Sequence, residues 1–294
     1  MKACPTLDAR MMSHLKVFLR LLLLAAWVTI ASQPVLASEP TIPSYWDEKE
    51  KLPRPDLSGM ARVRFLTTVD FPPFNFLDAE GRLTGFHVEL ARALCRELDI
   101  VARCQIQALP WEELDEAIAA GQGEALIAGT AITGQTRARY VFSRPYLRFP
   151  ARFVAPKASH MTEPMHAAVT GRRIGVLAGS KHEAMLRRYF PAARPVTYTR
   201  PDWLYEDLRA GKLDSAFGDG AQLSFWLAGS GAGGCCRFVG GPYLAPEFVG
   251  QGLAIAVAND NAALARAFDH ALREIGVKGI FAELYLKYFP VSFY

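Results

Sequence analysis

Histidine and cysteine are scarce in this chain, six and five among 294 residues. His14, His87, His160, His166, His182 and His270 form no ligand-like spacing, and the cysteines form none of the pairs that hold zinc. No metal and no cofactor are therefore expected. The patterns G-x-S-x-G, H-E-x-x-H and G-x-x-x-x-G-K-[ST] are missing too, which leaves a serine hydrolase, a zinc protease and a phosphate-binding loop without support. A lasting excess of positive charge is also lacking. The net charge is +4, but residues 1–37 hold four of the 33 basic side chains and one of the 29 acidic ones, leaving 29 against 28. A nucleic-acid partner, which needs a strongly cationic surface, is not expected.

What is present begins with an export signal. Lys2, Arg10, Lys16 and Arg20 precede the apolar run "LLLLAAWVTIA" and the small-residue site Val35-Leu36-Ala37, so cleavage after Ala37 is expected. The run is short for a membrane span. Four cysteines follow it. In an oxidising compartment Cys95 and Cys104, nine residues apart at a helix end and a strand start, are expected to form a disulfide. The adjacent Cys235 and Cys236 read either as a vicinal disulfide or as two buried thiols.

Residues 38–61 are rich in proline and charge and predict an extended arm. From Val63 onward strand and helix patterns alternate. "VRFLTTV" reads as a strand, and "GFHVELARALCREL" sets Phe86, Leu90, Leu94 and Leu98 on one helical face. Leu114, Ile118, Gly121 and Glu124 match Leu204, Leu208, Gly211 and Asp214 in spacing, and each series leads into an apolar strand. The glycine ends the helix in both. Such alternation argues for an α/β protein with largely parallel sheets, and the repeat for two similar lobes. "GLAIAVA" predicts a late strand, followed by a helix capped by Asn259 or Asp260 and a final short helix.

"TTVDFPPFNFLDAEGRLTGFHVELARALC" resembles the opening of the family 3 extracellular solute-binding proteins, the periplasmic components of polar amino-acid ABC importers. "GTAIT…R…FSRPY", "GRRIGVLAGS", "YEDLRAGKLDSAFGD" and the terminal "KYF" extend the resemblance over about residues 62–290. It implies a bilobed, type II periplasmic-binding-protein fold. Lobe 1 would combine 62–151 with 250–294 and lobe 2 would span 152–249. The hinge would lie near 152–155 and 249–252, and the lobes would close on a ligand in the cleft. It also implies an ABC permease in the inner membrane as partner and a monomeric protein.

An amino acid needs a cation and N–H donors for its carboxylate, an anion for its ammonium and an apolar wall. The resemblance places Asp219 at the ammonium, with a helix N-cap as its alternative role. It places the turn Gly179, Ser180 and Lys181 at the carboxylate, with a plain helix cap as the alternative, and Phe71 against the ligand and Trp111 in the pocket wall, with core packing as the alternative for both. Gly129, Thr130 and Ala131 supply the backbone edge of lobe 1. Arg137 is the expected carboxylate clamp and Arg139 its substitute. The pattern departs from the family at three points. Ala128, Gly129 and Ala131 stand where hydroxyl residues are common. Thr136 stands where the arginine falls. His87 replaces an acid and is expected at the surface. Two rival readings use the same fold: a cyclohexadienyl-dehydratase-like enzyme with Asp219 and Glu247 as its acids, and an accessory or sensory module such as the partners of periplasmic methanol dehydrogenases.

Overall fold

The computed structural model describes residues 42–47 and 49–294; the expected leader and its cleavage point lie outside them. The described part of the arm forms no helix or strand, yet it is anchored. Leu57 is buried, and Arg103 donates to the Leu57 and Met60 carbonyls.

Among the described residues thirteen strands follow: β1 Val63–Thr67, β2 Asp70–Phe71, β3 Asn75–Leu77, β4 Leu83–Thr84, β5 Cys104–Ala108, β6 Ala125–Leu126, β7 Tyr140–Phe142, β8 Ala151–Pro156, β9 Arg173–Leu177, β10 Arg194–Tyr198, β11 Ser215–Asp219, β12 Cys236–Tyr243 and β13 Ala256–Ala258. Ten α-helices accompany them among the described residues: α1 Phe86–Glu97, α2 Leu114–Ala119, α3 Gly134–Arg137, α4 Met165–Ala168, α5 Lys181–Tyr189, α6 Pro201–Arg209, α7 Gly220–Ala228, α8 Pro246–Val249, α9 Ala262–Val277 and α10 Ile280–Tyr288.

The two large sheets are wired alike. The first has the order β5-β1-β6-β13-β7 and the second β10-β9-β11-β8-β12. In each, a central strand runs parallel to both neighbours, β1 to β5 and β6, β9 to β10 and β11. In each, the next two pairings are antiparallel. The repeat seen in the sequence is the α2–β6 and α6–β11 units, where Gly121 and Gly211 leave their helices at φ +68° and +73°, a conformation costly for other residues.

Separate apolar cores support the sheets. The face of α1 carrying Phe86, Leu90 and Leu94 packs with Leu264, Phe268 and Leu272 of α9. Phe153 and Phe217 of the second sheet cluster with Phe190, which follows α5, and the Phe153 and Phe217 rings are 4.5 Å apart. Each such burial stabilises by roughly 1.5–3 kcal/mol. The helix α9 starts differently from expectation. A 3₁₀ turn at Asn259–Asn261 precedes it, Asn261 is its N-cap, and no side chain caps it.

The chain passes between the sheets twice. The two passages run side by side, with Leu253 N–H donating to the Leu147 carbonyl (2.7 Å) and Tyr146 N–H to that of Leu253 (2.9 Å). Residues 152–155, expected at the first crossing, lie inside β8, where Phe153 and Val154 pair with both β11 and β12. Cys95 is bonded to Cys104, and Cys235 to Cys236, so the vicinal pair is a disulfide.

Candidate functional site

In an open sheet, loops leaving neighbouring strands on either side of a reversal in strand order diverge and open a crevice at the strands' carboxyl ends. The reversal falls between β1 and β6 in the first sheet and between β9 and β11 in the second. The residues singled out in the sequence lie there or beside it. Phe71 and Gly129–Ala131 follow β1 and β6, Trp111 follows β5, Ser180 and Lys181 follow β9, and Asp219 ends β11.

In the first lobe, Phe71 stacks on Phe74 with ring centroids 4.7 Å apart. Gly129 sits against it at φ +84°, and a side chain there would come within 3.0 Å of the Phe71 ring. Thr130 is buried, whereas Ala131 is exposed. Trp111 starts a 3₁₀ turn and is 50% exposed, an unusual share for tryptophan.

Thr136 stands in the family's arginine position and is consumed by a local task. Thr133 caps α3 by accepting from the Thr136 amide, and the Thr136 hydroxyl donates to the Ala131 carbonyl at 2.7 Å. Arg137, next in the chain, is exposed and donates to Gln251 Oε1 at 3.1 Å. Arg139 is already engaged, paired with Asp115 and lying over the Tyr140 ring.

In the second lobe, Asp219 caps α7. Its Oδ1 accepts from the Ala221 and Gln222 amides, both at 3.0 Å, and its Oδ2 makes no hydrogen bond among the described residues. Ser180 caps α5 through the Glu183 amide at 3.1 Å. The Gly179 amide, expected to be open to an anion, donates instead to Glu183 Oε2 at 2.7 Å. Arg187 and that amide together hold the Glu183 carboxyl below its ordinary range. The pattern Ser180-x-x-Glu183 could have foretold this, because a glutamate three residues past a serine cap reaches back to the turn. The Lys181 and His182 amides donate to no acceptor among the described residues.

A cavity of about 30 Å³ joins Ser180 and Asp219, with His182, Tyr205 and Gln222 also in its wall. It has room for one water. The His182 Nε2 atom is buried there with no hydrogen-bond partner among the described residues, and burial lowers the pKa of this imidazole despite the neighbouring Asp219. These three wall residues were not foreseen, and neither was Gln251, because their neighbours are far away in sequence. No hydrogen bond or ion pair among the described residues joins Arg137 or Trp111 to Phe71 or to Asp219.

His87 departs furthest from expectation. It is fully buried rather than at the surface. Its Nδ1 lies 2.8 Å from Asn75 Oδ1 and its Nε2 lies 2.8 Å from the Tyr146 hydroxyl. Burial pushes its pKa down to about 3, so the ring is neutral at ordinary pH. Glu247 is no better suited to acid catalysis. The Tyr189 hydroxyl donates to it and keeps its carboxyl below the ordinary range, whereas a general acid needs the opposite shift. It also lines a different cavity, beside Met185 and Tyr243.

Known proteins share this plan. An ABC transporter arginine-binding protein 1 of Escherichia coli K12 is 28% identical over 233 residues, 79% of this chain and 93% of that protein. The lysine/arginine/ornithine-binding periplasmic protein of the same organism is 29% identical over 234 residues, 79% of this chain and 89% of that protein. The L-cystine solute receptor of Neisseria gonorrhoeae, 20% identical, superposes with a TM-score of 0.68 over 79% of this chain and 94% of its own, which establishes the bilobed fold. The model of the bacterial extracellular solute-binding proteins, family 3, matches residues 63–291, and the chain belongs to that family.

Proposed function

We propose that this protein captures one small α-amino acid or related zwitterion between its lobes in the periplasm and delivers it to an ABC permease of the inner membrane. It acts as a monomer and without catalysis. The observation that carries this reading is the repeated sheet order, which gives each of two lobes an equivalent crevice at which the candidate residues stand. The free Asp219 Oδ2 suits the ammonium. The Lys181 and His182 amides at the start of α5, with Arg137 from the other lobe, suit the carboxylate. Phe71 supplies an apolar wall. The relatives named for arginine and lysine support an amino-acid ligand. Residues 62–151 with 250–294 would move against 152–249, flexing where the two crossings lie side by side.

The test is a thermal-shift screen of the 20 amino acids together with prephenate and arogenate. Ligand at one hundred times its Kd adds about 2.7 kcal/mol, which in a protein of this size raises Tm by about 5–10 °C. Turnover of prephenate would refute the non-catalytic role. No shift with any amino acid would refute the ligand class and favour an accessory role.

A further inference from the structure

A hydrogen-bond chain runs from the first crossing to the end of β1, and the chemistry of its members leaves it only one direction. Asn75 Nδ2 donates to the Thr68 carbonyl at 3.1 Å and to Thr68 Oγ1 at 2.7 Å. A carbonyl can only accept, so the Asn75 nitrogen faces Thr68 and its oxygen faces His87. That oxygen needs a donor, so the ring proton of His87 is on Nδ1. Nε2 of the neutral ring is then an acceptor, and the Tyr146 hydroxyl donates to it. No charged side chain joins the chain. The rings of Phe71, Phe74 and Phe86 surround the imidazole at 4.9–6.2 Å between centroids. Every proton therefore points toward β1. Thr68 Oγ1 receives the last of them, and its own hydrogen has no acceptor among the described residues.

Thr68 leaves the middle parallel strand of the first sheet, between the ends of β5 and β6 and three residues before Phe71. We propose that Tyr146, His87 and Asn75 are positioning residues that fix the Thr68 hydroxyl as a hydrogen-bond donor, so that the site selects ligands presenting an acceptor there, a carboxylate, carboxamide or carbonyl oxygen, over those presenting an ammonium or guanidinium. This inference rests on the amino-acid reading above. His87→Asp would break the chain's direction. A carboxylate offers no proton to Asn75 Oδ1, and turning the amide nitrogen toward it would set that oxygen against the Thr68 carbonyl, so the donor role of the buried Thr68 hydroxyl is no longer fixed.

The experiment titrates the full exported chain with L-glutamine, L-glutamate and L-arginine by calorimetry. The parent protein should prefer glutamine or glutamate to arginine by at least tenfold. Thr68→Val should lower the preferred affinity about tenfold and leave arginine binding nearly unchanged. Folded His87→Asp should shrink the preference by tenfold or more. A parent that prefers arginine, or a preference unmoved by His87→Asp, overturns the inference. Because a buried carboxylate can unfold the protein, the side-chain ¹⁵N spectrum of His87 in the parent at pH 7 gives a second reading. The Nδ1-protonated neutral tautomer is expected, and an Nε2-protonated ring or an imidazolium overturns the chain's direction. That spectrum is decisive whether or not any amino acid binds, so the failure of the ligand class and the failure of this inference are told apart.

Discussion

The buried imidazole of His87 makes a quantitative demand on acid stability. Its pKa falls from 6.5 to about 3 on folding, because burial disfavours the charged ring. Below pH 6.5 the unfolded chain gains a proton at this site that the folded chain refuses until about pH 3. Stability is thus complete above 6.5 and is lost as pH falls through that window, at about 1.36 kcal/mol per pH unit. Between pH 7 and pH 5 the loss is about 2 kcal/mol, or about 4–8 °C in Tm for a protein of this size. His87→Gln removes the titration. The variant is less stable at pH 7, because the Asn75 and Tyr146 partners lose their geometry, but it lacks this pH-dependent loss. Urea unfolding followed by tryptophan fluorescence should therefore show the gap between parent and variant narrowing by about 2 kcal/mol from pH 7 to pH 5. A gap constant to within about 0.5 kcal/mol, the precision of such extrapolations at best, would refute a neutral buried ring.

Asp269 runs in the opposite direction. Burial raises its carboxyl to about 6, with the Arg144 amide as its hydrogen-bond donor at 2.7 Å; its contribution is complete below about pH 4 and is lost as pH rises through 6. Asp269→Asn keeps an acceptor for that amide, so the variant should exceed the parent by roughly 3 kcal/mol at pH 7 and by little at pH 4, as read by the same urea titrations. Asp219→Asn should leave Tm within a few degrees, since asparagine caps helices as well as aspartate, while weakening the affinity for any amino acid that binds by about tenfold; unchanged affinity in calorimetry would remove Asp219 from the site. Gly85 precedes α1 at φ +123°, and a Cβ there would stand 2.3 Å from the Phe74 carbonyl oxygen. Gly85→Ala should cost roughly 3 kcal/mol, and a urea midpoint equal to that of the parent would contradict the backbone geometry.

The parts of this molecule that could be read in advance are those whose causes lie within one turn or one strand. The apolar face of α1 and the glycine stops at 121 and 211 are of that kind, because helix periodicity and a left-handed exit depend on neighbours three or four residues away. Equivalent lobes were visible for the same reason. Two capping signals are local as well. Thr133-x-x-Thr136 and Ser180-x-x-Glu183 both carry the spacing of a helix-capping pair, and in both the second residue is spent on its own turn. Hence the Gly179 amide is not open, and Thr136 stabilises α3 in the place where the family carries an arginine. The character of His87 was beyond reach for another reason. Its partners Asn75 and Tyr146 are 12 and 59 residues away, and only the packing of α1 between the end of β1 and the first crossing brings them to its two nitrogens. A histidine at a helix start reads as solvent-facing when judged by its neighbours in sequence. Burial and two oriented partners instead make it a neutral ring, whereas an acidic residue there would offer no proton to Asn75. On the relay proposed above, the residue at position 87 bears on what the cleft recognises, although the side chain itself is enclosed by aromatic rings.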